Sequence, residues 1–164
     1  MKDLINLKKK GFNIKANWQD LSSNSIFFIN TQNEKKFIFF QKKAIKKGCK
    51  NILCYNIFKN KHQIKNIVYH YFKNENELYK IAQLFFDISK LKLIFITGTN
   101  GKTSIAYGAH QLLLINKIKS SYIGTLGFFL QAKKIKNLKN TTPSFFEILD
   151  LLTQVKKNKI DYVF

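Results

Sequence analysis

Leu91-Lys92-Leu93-Ile94-Phe95-Ile96-Thr97-Gly98-Thr99-Asn100-Gly101-Lys102-Thr103-Ser104 is the stretch on which the reading of this chain turns. Leu91 to Thr97 is a compact apolar run of strand length and reads as a buried strand. A glycine-rich turn follows. Ile105, Ala109, Leu112 and Leu113 then recur at helical spacing, which predicts a helix with those side chains inward. A turn of this kind points successive backbone N–H groups into one concavity, at a helix end carrying about half a positive charge, and so binds phosphate. Gly98 and Gly101 allow backbone angles and a close approach that a side chain blocks. Lys102 reaches the outer phosphate oxygens as a point charge, and the Thr103 hydroxyl is placed to ligate Mg²⁺. Gly98, Thr99, Asn100, Gly101, Lys102, Thr103 and Ser104 are thus the candidate nucleotide-binding residues. Lys102 is the candidate catalytic group and Thr103 the candidate metal ligand, with ATP and Mg²⁺ as the expected cofactors. The general pattern G-x-x-x-x-G-K-[ST] asks for glycine at position 96, where this chain has Ile96.

Downstream, Ser120 to Ile123 reads as a second strand ending in Gly124-Thr125-Leu126-Gly127. Phe128 to Lys139 reads as an extended excursion or hairpin. A further helix is expected after Thr142-Pro143, with Thr as cap and Pro at the first helical position. It should bury Phe145, Ile148, Leu149, Leu152 and Val155, and Ile160 to Phe164 begins another strand. Strand, loop, helix, strand, helix, strand is the opening of a parallel doubly wound α/β sheet. Upstream, Ser25 to Asn30, Asn51 to Tyr55 and Ile64 to Tyr71 read as strands. Phe37 to Lys47 reads as a helix stopped by Gly48. Asn74 with Glu77 marks the start of another helix, with Leu78, Ile81, Phe85 and Ile88 on one face. The pattern changes near Ser89-Lys90. The expected organisation is a small α/β domain over residues 1–90 and the truncated start of a phosphate-loop parallel-sheet domain over 91–164.

The formal charge of +20 invites a nucleic-acid reading, but every one of the 29 basic residues is Lys. The lysines are scattered instead of forming one stripe, and Arg, suited to bidentate phosphate and guanine contacts, is missing. Lys, Asn, Ile and Phe share A/T-rich codons, so compositional drift accounts for the balance and no nucleic-acid partner is expected. No apolar run approaches the roughly 18 residues of a membrane helix. No signal peptide is evident, and the cytoplasm is the expected location. Cys49 and Cys54 read as buried thiols. His62, His70 and His110 have no metal-ligand spacing, and His110 reads as packed or surface.

Thr97-Gly98-Thr99-Asn100-Gly101-Lys102-Thr103-Ser104 resembles the short ATP loop of the Mur ligases, in which the related folylpolyglutamate synthases usually carry Gly where this chain has Thr103. Gly124-Thr125-Leu126-Gly127 is similar to the family's G-T-x-G turn. Asn140-Thr141-Thr142-Pro143 is similar to the N-T-T-P segment of the family member that extends UDP-N-acetylmuramoyl-alanyl-glutamate. The resemblance covers residues 91–164. It is thin over 1–90, where the family's uridine-nucleotide domain should lie and its Asp-Ser-Arg falls on Asn17-Trp18-Gln19.

The resemblance implies an ATP-dependent amide ligase of peptidoglycan precursor synthesis. It would add the third amino acid to UDP-N-acetylmuramoyl-L-Ala-D-Glu through an acyl phosphate, with Asn140, Thr141 and Thr142 contacting that substrate. The expected partners are the UDP-N-acetylmuramoyl-dipeptide and an amino acid, and the expected state is a monomer. Later family segments do not occur in these residues, so the chain is expected to be inactive alone. Other members of the superfamily, a basic nucleic-acid binder and a gene remnant are the competing readings.

Overall fold

The computed structural model describes residues 1–138 and 143–164. The chain forms two compact units, Met1–Asp87 and Ile88–Phe164. Both are α/β.

The first unit runs α1 (Lys2–Lys9), β1 (Asn13–Lys15), β2 (Ser25–Ile29), α2 (Glu34–Lys46), β3 (Asn51–Tyr55), β4 (Val68–Phe72) and α3 (Glu75–Phe85). Its sheet has the order β1-β2-β3-β4, with every pair parallel. All five residues of β2 are buried, as a parallel strand covered on both faces requires. Phe27 and Ile29 pack with Ile52 and Cys54 against Phe37 and Ala44 of α2. Phe37 stacks on Phe58 at 4.1 Å between ring centroids. The alternate residues Ile26, Phe28, Leu53 and Phe72 are buried on the opposite face.

Side-chain caps set the helix starts. The Asn33 Oδ1 accepts from the Lys36 N–H at 3.0 Å, so α2 begins three residues before the expected Phe37. The Asn74 Oδ1 accepts from the Glu77 N–H at 3.0 Å, and the Glu77 carboxylate accepts from the Lys73 N–H at 2.7 Å. The strand expected from Ile64 is shorter. The Ile67 N–H turns back to the Ile64 carbonyl, and pairing starts at Val68 because β3 offers only Asn51–Tyr55 as partners.

The second unit runs β5 (Lys92–Leu93), α4 (Lys102–Ile115), β6 (Ser120–Gly124), β7 (Gly127–Leu130), β8 (Lys133–Lys136), α5 (Phe145–Lys157) and β9 (Tyr162–Val163). The strand order is β5-β9-β6-β7-β8. The first three strands are parallel, and β7 and β8 add as antiparallel hairpins. The excursion after Phe128 is therefore part of the sheet. Phe128, Leu151, Leu152, Val155, Ile160 and Val163 form the core.

Three expectations are corrected in this unit. The buried strand Leu91–Thr97 pairs only at Lys92–Leu93, with one more bond from the Ile94 N–H to the Val163 carbonyl. Beyond it Phe95 is 79% exposed, with no neighbouring strand alongside it among the described residues. Pro143 does not open the next helix. Ser144 is the cap of α5, and its N–H and hydroxyl donate to the Glu147 carboxylate at 2.9 and 2.7 Å. Finally, α4 turns a different face inward. Ile105 and Leu112 are 60% and 62% exposed, while His110 is fully buried. Apolar residues lie almost all round this helix, so periodicity does not choose its face. The choice is made by the aromatic contacts of Tyr107 and His110 with Tyr122 and Phe129.

Both buried imidazoles have polar partners. The His70 Nε2–H donates to the Asn51 Oδ1 at 3.2 Å, and the His110 Nε2–H donates to the Gln131 carbonyl at 3.2 Å. The His110 Nδ1 lies 2.8 Å from the Ser120 hydroxyl. Burial pushes each ring below the ordinary value of 6.5. Weaker opposing influences come from the negative charge of Asp3 on His70 and from the Gln131 carbonyl on His110. A lowered folded-state pKa means that the unfolded chain takes up its proton first. Stability is therefore full above pH 6.5 and declines as pH falls through the folded values. Urea unfolding measured between pH 7.5 and 5 should show this decline, and His70→Gln should flatten it.

Candidate functional site

In a parallel sheet the carboxyl ends of the strands share one edge, and ligands bind there. The loop leaving β5 and the turn leaving β6 both lie on that edge. Gly101 holds φ +77° and is the N-cap of α4, and the first helical bond runs from the Ile105 N–H to the Gly101 carbonyl at 2.9 Å. A residue with a Cβ pays about 1–2 kcal/mol in this left-handed conformation. The N–H groups of the first turn have no acceptor within the helix, so the loop presents donors.

Lys102 folds back over the loop. Its ammonium donates to the Gly98 carbonyl and, at 3.2 Å, to the Thr99 carbonyl. The Thr103 hydroxyl donates to the Thr125 Oγ1 at 3.2 Å. Thr99, Asn100 and Ser104 are exposed on the same loop. Thr125 belongs to the two-residue turn between β6 and β7, closed by the pair Gly124↔Gly127. Gly127 sits at φ +118°, and a Cβ there would meet the Lys136 carbonyl oxygen at 2.6 Å, so this position of the turn calls for glycine. A cavity of about 260 Å³ opens beside Lys102, Thr103 and Thr125, with Leu93, Ile123 and Val163 among its apolar walls.

The electrostatics of the helix ends set this site apart. Four of the described α-helices carry acid in the first turn: Asp3 in α1, Glu34 in α2, Glu75 and Glu77 in α3, and Glu147 in α5. In α4 the first turn holds no acid and begins with Lys102. The positive helix end, compensated elsewhere by a carboxylate, is left open to an external anion.

The donor set fits magnesium delivered by a polyphosphate. That ion keeps several waters and takes few protein ligands besides phosphate oxygens, and one hydroxyl from Thr103 suits it. No group of three or more His, Cys, Asp or Glu side chains among the described residues forms an all-protein cation site. The structure brings Gly98 to Ser104 into one loop. Asn140, Thr141 and Thr142 lie outside the described residues, although Pro143 lines the cavity. Thr125 was assigned no role from sequence. Its place directly after a strand that ends on the ligand edge was the available signal.

Residues 96–164 match the Mur ligase middle domain. The UDP-N-acetylmuramoyl-L-alanyl-D-glutamate–2,6-diaminopimelate ligase of Wigglesworthia glossinidia brevipalpis is 35% identical over 188 residues, covering 98% of this chain and 36% of that protein. The ligase of the same name from Helicobacter pylori strain J99 is 41% identical over 78 residues, covering 48% of this chain and 17% of that protein. A solved structure of a ligase so named superposes with a TM-score of 0.64 at 15% identity. It covers 93% of this chain and 31% of its own, and so shares the fold. The chain spans about a third of the length of the relatives that it matches along most of its own. From the loop, the sheet and these matches together, the chain belongs to the Mur ligase family.

Proposed function

We propose that this chain is the nucleotide-binding part of an ATP-dependent acid–amino-acid ligase of peptidoglycan precursor synthesis. It would act on UDP-N-acetylmuramoyl-L-alanyl-D-glutamate and add the third amino acid by way of an acyl phosphate. The observation that carries this reading is the Gly98–Ser104 loop at the one described α-helix whose first turn lacks acid, with the Lys102 ammonium laid across it. The names of the matched relatives supply the substrate class.

ATP with Mg²⁺ supplies the phosphoryl group that activates the substrate carboxylate. The residues of this chain orient and neutralise. The first-turn N–H groups of α4 would hold phosphate oxygens, and the Lys102 ammonium would neutralise charge on the outer phosphates. Thr103 is the protein ligand of the cation. Asn140, Thr141 and Thr142, which precede the cavity-lining Pro143, are proposed to contact the UDP-sugar-peptide. Residues 91–164 would then be the ATP-binding domain and residues 1–90 the uridine-nucleotide-binding domain. The Asn17-Trp18-Gln19 positions give the latter no family ligand set.

Two substitutions test the loop by calorimetric titration of ATP in Mg²⁺. Lys102→Ala should weaken binding by roughly tenfold to a hundredfold, the worth of one charge-assisted hydrogen bond. Undiminished affinity in that variant would remove the assignment. Gly101→Ala should lower the stability of the second unit by about 1–2 kcal/mol in denaturant unfolding and weaken ATP binding along with it, because the left-handed cap shapes the loop.

A further inference from the structure

We propose that Thr125 is the positioning residue for the Thr103 hydroxyl, accepting its hydrogen bond and so turning a lone pair of Thr103 toward the divalent cation of a bound nucleoside triphosphate. The inference rests on the reading of the loop as a Mg·ATP site and assigns a residue to it from a second strand. A hydroxyl that ligates a cation gives the metal a lone pair and must send its proton elsewhere. A helical threonine often sends it to the carbonyl four residues back. For Thr103 that carbonyl belongs to Thr99, which lies before the helix and outside its regular hydrogen-bond ladder. Thr125 Oγ1, at 3.2 Å from Thr103 Oγ1, is the acceptor in place.

The support behind Thr125 is the sheet. Thr125 projects from a turn closed by the Gly124↔Gly127 pair, whose strands β6 and β7 are hydrogen-bonded to each other. The acceptor is thereby held by the sheet, independently of α4. Thr125 itself is exposed, so its hydroxyl contributes little to folding.

The test is ATP affinity of the 164-residue chain measured by titration calorimetry in MgCl₂ and again in EDTA, for the unsubstituted chain, Thr125→Val and Thr125→Ser. The ratio of the two affinities reads the contribution of the cation. Thr125→Val should lower that ratio roughly threefold to tenfold, the worth of one neutral hydrogen bond. Thr125→Ser, which keeps the hydroxyl, should restore it. A full ratio in Thr125→Val, a serine variant as weak as the valine one, or a loss equal with and without Mg²⁺ would each overturn the positioning role while leaving the nucleotide site standing. An unsubstituted chain with no Mg²⁺-dependent affinity would overturn the site and the role of Thr125 together.

Discussion

Two parallel strands cannot be joined by a tight turn, so the chain must cross the sheet before it pairs again. That constraint orders both units. Each strand that enters a parallel pair delivers its carboxyl end to one edge, and each following helix starts from that edge. In the second unit it brings the loop after β5 and the turn after β6 together, although 22 residues separate Thr103 from Thr125. The placement of β9 between β5 and β6 completes the arrangement, with hydrogen bonds from the Ile94 N–H to the Val163 carbonyl and from the Phe164 N–H to the Ser121 carbonyl. Thr125 reaches the loop only because the sheet has this order.

The α/β class was legible in the sequence because strand and helix signals alternate with clear punctuation. Asn51–Tyr55 and the Asn74 cap emerged where they were expected, since their signals are local, but that helix ends at Phe85 and leaves Ile88, expected on its face, to pack in the second unit. The loop was legible as a turn between strand and helix for the same reason. What failed was the choice of face. The α4 helix carries apolar residues on most sides, and only the fold shows that Tyr107 and His110 face the sheet while Ile105 and Leu112 meet water. The run Leu91–Thr97 has the composition of a buried strand, and among the described residues its pairing is confined to Lys92, Leu93 and the Ile94 N–H. The contact between Thr103 and Thr125 depends on tertiary pairing and has no signature in residue spacing.

The two units treat their buried polar groups alike. Asn51 answers His70, and Ser120 with the Gln131 carbonyl answers His110, so each buried ring has a polar partner within a largely apolar surrounding. In a chain of net charge +20, neutral cores leave the positive charge on the surface. The few carboxylates are spent mainly at helix starts, where each offsets a partial positive charge that would otherwise add to the excess.

The acid-free first turn of α4 has a kinetic side as well. An anion diffusing toward this unit meets a long-range positive field with no carboxylate in that turn to turn it away, and the field steepens toward the loop. Such a gradient draws a multiply charged ligand in faster than blind collision, and it does so over a range set by the Debye length, about 8 Å at physiological ionic strength. Capture of such a ligand at this end of α4 would therefore be sensitive to salt through its association rate, whereas release would be governed by the short contacts of the loop.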